Sequence, residues 1–203
     1  MSVKERRARE KEELRQEILD AARELFAKEG YENVSMRKIA RKIDYSATTI
    51  YLYFKDKDDL FGSICEETFT KLVKRFEDIV ASADDPLEQL RRAGRAYIEF
   101  GLSHPNHYKV TFMGCGQPHI EDEKLDFPGS IGEKCFLHLR TIVENCVRQG
   151  KIRPVDVDAT SQALWAAAHG ITSLLISDPH FPWVSKERLI EHVVDVMTKG
   201  LRG

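Results

Sequence analysis

Between residues 35 and 57 the chain places six cations (Arg37, Lys38, Arg41, Lys42, Lys55, Lys57) and only two acids (Asp44, Asp56). That stretch carries a charge of +4, whereas the whole chain of 203 residues carries −2. A local basic patch on an acidic body implies one anionic docking surface, not a protein coated by polyanion. The residues between the cations suit nucleic acid. Ser35 offers a hydroxyl cap, and the amides after it form a positive helix end that takes a phosphate. Arg37, in the turn that follows, reaches a guanine edge or a phosphate. Ser46 caps a second short segment. There Ala47, Thr48 and Thr49 are small enough to enter a groove, and Thr can donate, accept or touch a thymine methyl. Tyr51 and Tyr53 carry hydroxyls on rigid arms suited to phosphates, and Lys55 and Lys57 extend the charge.

Other chemistry has weaker support. His104, His107, Cys115 and His119 are of metal-ligand type, but their spacing fits no zinc pattern and Pro105 interrupts the local helix, so no metal is expected. Cys115 stands in a Gly-Cys-Gly loop with nothing beside it to lower its pKa. The four cysteines show no CxxC pairing and read as reduced thiols of a cytoplasmic protein. No nucleophile–base set or phosphate loop occurs, so neither an enzyme nor a cofactor is expected. The charged N-terminus is no secretory signal, and the apolar run 163–176 is too short and polar to span a bilayer.

The elements that must position these residues are helices. Leu14, Ile18, Leu19, Ala22, Leu25 and Phe26 share one face of a first helix over 9–29, which Gly30 stops. Met36, Ile39, Ala40 and Ile43 bury a short second helix behind Ser35. After a turn at Asp44-Tyr45, Ser46 starts a third, ending near Phe54. Asp56 caps a long fourth helix to about 81, with Asp59 as a capping-box partner. Asp85-Pro86-Leu87-Glu88 opens a fifth, to about 103. A short helix over 106–113, a loop over 114–132, and helices over 130–149, 156–177 and 186–201 complete an all-α chain of about nine helices. Two short helices joined by a turn and braced by a third make a helix-turn-helix, whose second helix fits the roughly 12 Å major groove.

Arg37-Lys38-Ile39-Ala40 followed by Ser46-Ala47-Thr48-Thr49-Ile50-Tyr51-Leu52-Tyr53-Phe54-Lys55-Asp56-Lys57-Asp58-Asp59-Leu60 resembles the signature of the TetR family of repressors. Ile18 to Tyr31 resembles that family's first helix. The resemblance covers about residues 10–62. It implies a helix-turn-helix DNA-binding domain over 1–55 and a helical-bundle effector-binding and dimerisation domain over 56–203. By resemblance, Ser35, Arg37, Ala47, Thr48, Thr49, Tyr51, Tyr53 and Lys57 fall where family members contact DNA. Asp44 stands where such proteins commonly carry Gly, so the turn is expected to hold with some strain. Trp165-Ala166-Ala167-Ala168-His169-Gly170, with His104-Pro105, His107-Tyr108 and Phe112-Met113, resembles the Trp-His-Gly subgroup of the family's C-terminal domains.

The expected function is a ligand-responsive regulator, a repressor or an activator, that binds double-stranded operator DNA. A small molecule would release it, and no membrane is involved. Candidate effector-pocket residues are Phe69, Tyr97, Phe100, Phe112, Met113, Phe136, Trp165 and His169, although aromatics at helical spacing equally form core. Leu164, Ala167, Ile171 and Leu175, with Leu189, Ile190, Val193, Val194 and Met197, form stripes for a homodimer, or for monomer core. A dimer suits a helix-turn-helix protein because two half-sites lie about 34–36 Å apart. A helical adaptor, or a small enzyme built on His169, is the rival reading.

Overall fold

A computed structural model describes residues 2–113 and 129–202. Among the described residues there are nine helices and no strand: α1 (Val3–Glu29), α2 (Met36–Lys42), α3 (Ala47–Tyr51), α4 (Lys57–Ser82), α5 (Pro86–Ser103), α6 (Pro105–Phe112), α7 (Ile131–Arg148), α8 (Val157–Ser177) and α9 (Lys186–Lys199). The expected loop over 114–132 lies mostly outside the described residues; α7 begins at Ile131 with Ser130 as its cap.

The first helix starts six residues earlier than expected. Its apolar stripe begins only at Leu14, so hydrophobic periodicity cannot reveal the preceding turns. Those turns are held by polar devices. Ser2 Oγ accepts the Glu5 N–H while Glu5 accepts the Ser2 N–H, and Arg6–Glu10 and Arg9–Glu13 pair one turn apart. Gly30 ends α1 at φ 80°, ψ 157°, a region that essentially only glycine occupies.

The chain forms two compact units, with the division inside α4 after Thr68. The first holds Met1–Thr68 and Asn106–Leu125. Its core joins Ile18, Leu19, Ala22 and Phe26 of α1 to Ile39, Ile50, Phe54, Leu60, Ile64 and Val110. Phe26, Tyr31 and Phe61 meet at ring distances of 5.4–6.1 Å. Each large apolar side chain buried here contributes about 1.5–3 kcal/mol. Arg23 is buried and bridges Asp20 (2.7 Å) and Glu67 (2.6 Å), which ties α1 to the first half of α4.

The second unit holds Phe69–Pro105 and Asp126–Gly203. Helix α5 is its centre and packs on α7, α8 and α9. Asp85 accepts the Leu87 N–H at the start of α5, with Pro86 in the first turn. Arg91 of α5 reaches Asp195 (2.6 Å) and donates to Thr198 Oγ1 (3.1 Å) on α9. No helix among the described residues is long and apolar enough to cross a membrane.

Candidate nucleic-acid interface

Helix α2 faces two ways. Met36, Ile39 and Ala40 are buried, while Arg37 and Arg41 are exposed. Ser35 Oγ accepts the Lys38 N–H (3.2 Å), as an N-cap must. The sequence credited this region with six comparable cations, and the structure differentiates them. Lys38 pairs with Glu29, and Lys42 with Glu24 (2.9 Å), both on α1. Lys57 donates to the Tyr31 carbonyl (3.0 Å) and lies 3.8 Å from the centre of that ring. The Tyr31 hydroxyl in turn meets Asp58, and burial with this neighbouring carboxylate raises its pKa. Arg37, Arg41 and Lys55 therefore form the part of the patch whose side-chain cations neither pair with a carboxylate nor rest on Tyr31 among the described residues.

The turn that follows needs a left-handed residue, and Asp44 supplies it at φ 58°. The Tyr45 N–H returns to the Ala40 carbonyl (2.9 Å) across it. Helix α3 then starts at Ser46, whose Oγ accepts the Thr49 N–H (3.1 Å) and lies 2.9 Å from Thr49 Oγ1. The helix ends at Tyr51 instead of near Phe54. Leu52 N–H bonds to Thr49 O and Tyr53 N–H to Ile50 O, three residues back, so the last turn tightens. Phe54 is buried, and Asp59 receives the Lys55 N–H (2.8 Å) while Asp56 caps the Asp59 N–H (2.8 Å). Asp59 thus caps one residue earlier than a regular capping box.

Ile50 points into the core at 0% exposure. Around it, Ser46, Thr48, Tyr51 and Lys55 are exposed, and Ala47, Thr49 and Tyr53 are half-buried. Ala47 and Tyr53 pack against the core of their unit. Two exposed residues escaped the sequence reading. Leu52 is 74% exposed and Tyr45 44%. Leu52 was readable in principle, because it is the apolar residue of this segment that the α3 period turns away from Ile50.

Of the effector candidates, Phe69, Tyr97, Phe100, Phe136, Trp165 and His169 belong to the second unit, and Phe112 and Met113 to the first. Four of the former come together. Trp165 Nε1–H donates to the Tyr97 hydroxyl (3.2 Å), which lies 3.4 Å from His169 Nδ1, and His169 Nε2 lies 3.2 Å from Ser173 Oγ. Phe136 packs edge-on to Trp165 at 6.3 Å. Burial lowers the His169 pKa. Phe100 is buried beneath His104, stacked at 4.8 Å. His104 Nδ1–H donates to Phe100 O (3.2 Å), and His107 Nδ1 lies 2.9 Å from Thr68 Oγ1, so the two histidines serve different units. Cys115 and His119 lie outside the described residues.

The residues of the expected stripes on α8 and α9 divide by exposure. Leu164, Leu175, Ile190 and Val194 are 3–6% exposed and belong to the core of their own unit, because α8 and α9 turn these faces towards α5 and each other. Ala167 is exposed, and Ile171, Leu189, Val193 and Met197 are half-buried. Leu174 (48%) and Val196 (59%) are the more exposed large apolar residues of these helices.

Residues 18–64 match the family described as "Bacterial regulatory proteins, tetR family". Residues 90–197, more than half of the chain, match "Tetracyclin repressor-like, C-terminal domain". The chain belongs to the TetR family. It is a DNA-binding transcriptional regulator with an N-terminal helix-turn-helix. The TetR-family C-terminal match does not confirm the Trp-His-Gly subgroup suggested by residues 165–170. A curated relative, the fatty acid metabolism regulator protein of Bacillus subtilis (strain 168), is 25% identical over 190 residues, covering 91% of this chain and 94% of the relative. The fold is shared with the transcriptional regulator FadR from Bacillus subtilis in complex with stearoyl-CoA (TM-score 0.78, 24% identity, 92% of this chain, 99% of that one). It is also shared with the TetR family regulator PfmR from Thermus thermophilus (TM-score 0.73, 24% identity, 92% and 96%).

Proposed function

We propose that this TetR-family chain is a homodimeric repressor that a small-molecule effector releases from a double-stranded operator. Residues 1–55 act as the DNA-binding domain and 56–203 as the effector-binding and dimerisation domain. The observation that carries the reading is the two-sidedness of α3: Ile50 anchors it in the core while Thr48, Tyr51 and Leu52 stay exposed. A short helix held from behind, with small and hydroxylated residues in front, suits a major groove. Arg37, Ser35, Thr49, Tyr53, Lys55 and Lys57 complete the DNA face. Arg41 and Tyr45 join them at the edge, and Leu52 meets a thymine methyl.

The effector site is built on Tyr97, Phe136, Trp165 and His169, with Phe69 and Phe100 of the same unit as further lining. An aromatic surround with a few hydrogen-bonding groups suits a largely apolar molecule with a polar head. Because a relative regulates fatty acid metabolism and a fold neighbour holds stearoyl-CoA, a long-chain acyl thioester is the first effector to test. The effector acts by binding more tightly to the dimer conformation whose two recognition helices are wrongly spaced for DNA. Ala167, Ile171 and Leu174 of α8, with Leu189, Val193, Val196 and Met197 of α9, form the two-fold interface.

The test is a gel-shift titration of the full chain on duplexes from its own promoter region, with stearoyl-CoA or coenzyme A added. A shift reversed by stearoyl-CoA and not by coenzyme A supports the reading. A shift indifferent to both overturns the acyl-effector part, and no shift on any such duplex overturns the repressor reading for that promoter. Sedimentation at micromolar concentration must give the dimer mass.

A further inference from the structure

Residues 3–13 of α1 form about three turns of helix beyond the point where core packing begins, and all are exposed. Their charges are sorted by face. Lys4, Arg7, Lys11 and Arg15 recur at intervals of three and four, which aligns them along one side of a helix. Arg6 and Arg9, round the helix, are used by Glu10 and Glu13 at 3.5 and 3.2 Å. Glu5 is used by the N-terminal capping box. Glu12 falls about 60° round the helix from the nearest residue of the row. No carboxylate of the described residues pairs with Lys4, Arg7 or Lys11.

The inner end of this row has a fixed place. Arg15 is half-buried, with its guanidinium carbon 5.2 Å from the centre of the Phe54 ring. Phe54 closes the α3 segment, next to the exposed Lys55. The row therefore leaves the protein from the side where the recognition segment ends. From Lys4 to Arg15 it spans about 16 Å, roughly half a turn of B-DNA.

We propose that Lys4, Arg7 and Lys11 make a second contact with DNA, sequence-independent and directed at the phosphate backbone beyond the groove that α3 enters. This rests on the proposed DNA-binding role of α3. A lipid surface fits the segment poorly. A helix lying in a membrane interface needs a broad apolar face, and residues 3–13 offer only Val3 and Ala8. Base reading is equally unsuited, since three flexible cations in a row, with no amide side chain among residues 3–13, recognise charge and not base edges.

The experiment compares the full-length chain with the variants K4Q/R7Q/K11Q and R6Q/R9Q. Gln keeps helix propensity, so α1 persists. The probe is a duplex selected from a random pool by the wild-type protein, alongside a scrambled duplex, with affinity read by fluorescence anisotropy from 50 to 200 mM salt. Each phosphate contact contributes about 0.9 to the slope of log affinity against log salt. The triple variant should lose about 2.7 of that slope per protomer and weaken on both duplexes by the same factor, while R6Q/R9Q stays near wild type. An unchanged slope in the triple variant, or an equal loss in R6Q/R9Q, overturns the inference. Selective loss on the selected duplex also overturns it, because that is base reading. Loss of binding to phosphatidylserine vesicles without a change on DNA transfers the row to membranes. Failure of the wild type to select any duplex sinks the DNA-binding role itself, a different outcome from failure of the row alone.

Discussion

Arg37 and Lys38 are neighbours in the chain, yet the fold gives them opposite tasks. Lys38 braces α2 on Glu29, and Arg37 is left for solvent or DNA. Replacing Arg37 with Ala should therefore leave stability within about 0.5 kcal/mol. It should weaken DNA binding by about 1–3 kcal/mol. A loss confined to some sequences assigns it to a base, an even loss to phosphate, and wild-type affinity on every duplex removes it from the interface. His169 makes a different prediction. Its pKa is lowered in the fold by burial, so the folded chain favours the neutral ring. The contribution to stability is present above the unfolded value near 6.5 and is lost as pH falls through the lowered folded value. Thermal midpoints from pH 7.5 to 5 should fall less steeply for His169→Gln than for wild type; parallel curves would contradict this. At this scale the sequence revealed residue types well. It could not reveal which cations of the basic stretch are consumed internally, because Glu24 and Glu29 lie a helix away and pair only once α1 and α2 are packed.

Helices show the same division between what is local and what is not. Caps are local, and Ser35, Ser46 and Asp85 cap where the residue pattern places them. The left-handed Asp44 was legible through the family resemblance, which sets it where relatives commonly carry Gly. The early start of α1 was not, because ion pairs and a capping box leave no hydrophobic signal. The short α3 was not, because Tyr53 and Phe54 carry helical spacing although their amides fold back on Ile50. Ser46 allows the structural and binding roles of α3 to be separated. Ser46→Ala removes the acceptor for the Thr49 N–H and should cost about 1 kcal/mol in urea unfolding. Ser46→Asp keeps an acceptor and the stability, but it sets a negative charge at the DNA face and should weaken binding at least as much as Ala. If the Asp variant binds DNA like wild type, this end of α3 does not face phosphate.

For the molecule as a whole, family membership fixes the architecture more firmly than it fixes the chemistry. The stripes on α8 and α9 mixed core with surface because one helix carries two apolar faces at the same period. Only packing against α5 separates Leu164 and Leu175 from Ala167 and Leu174. The central claim, that α3 lies in a DNA groove in each half of a two-fold dimer, can be tested by affinity cleavage. Thiols make this practical, since burial raises the pKa of Cys65 to about 11, Cys135 to about 12 and Cys146 to about 11, which slows their labelling. In a Cys115→Ser background, Thr48→Cys would carry an iron chelate at the exposed position of α3. Two clusters of strand cleavage are expected on a bound duplex, one helical turn or a small multiple of about 34–36 Å apart. Cleavage at a single cluster, or none from a protein that still shifts the duplex, would contradict the central claim.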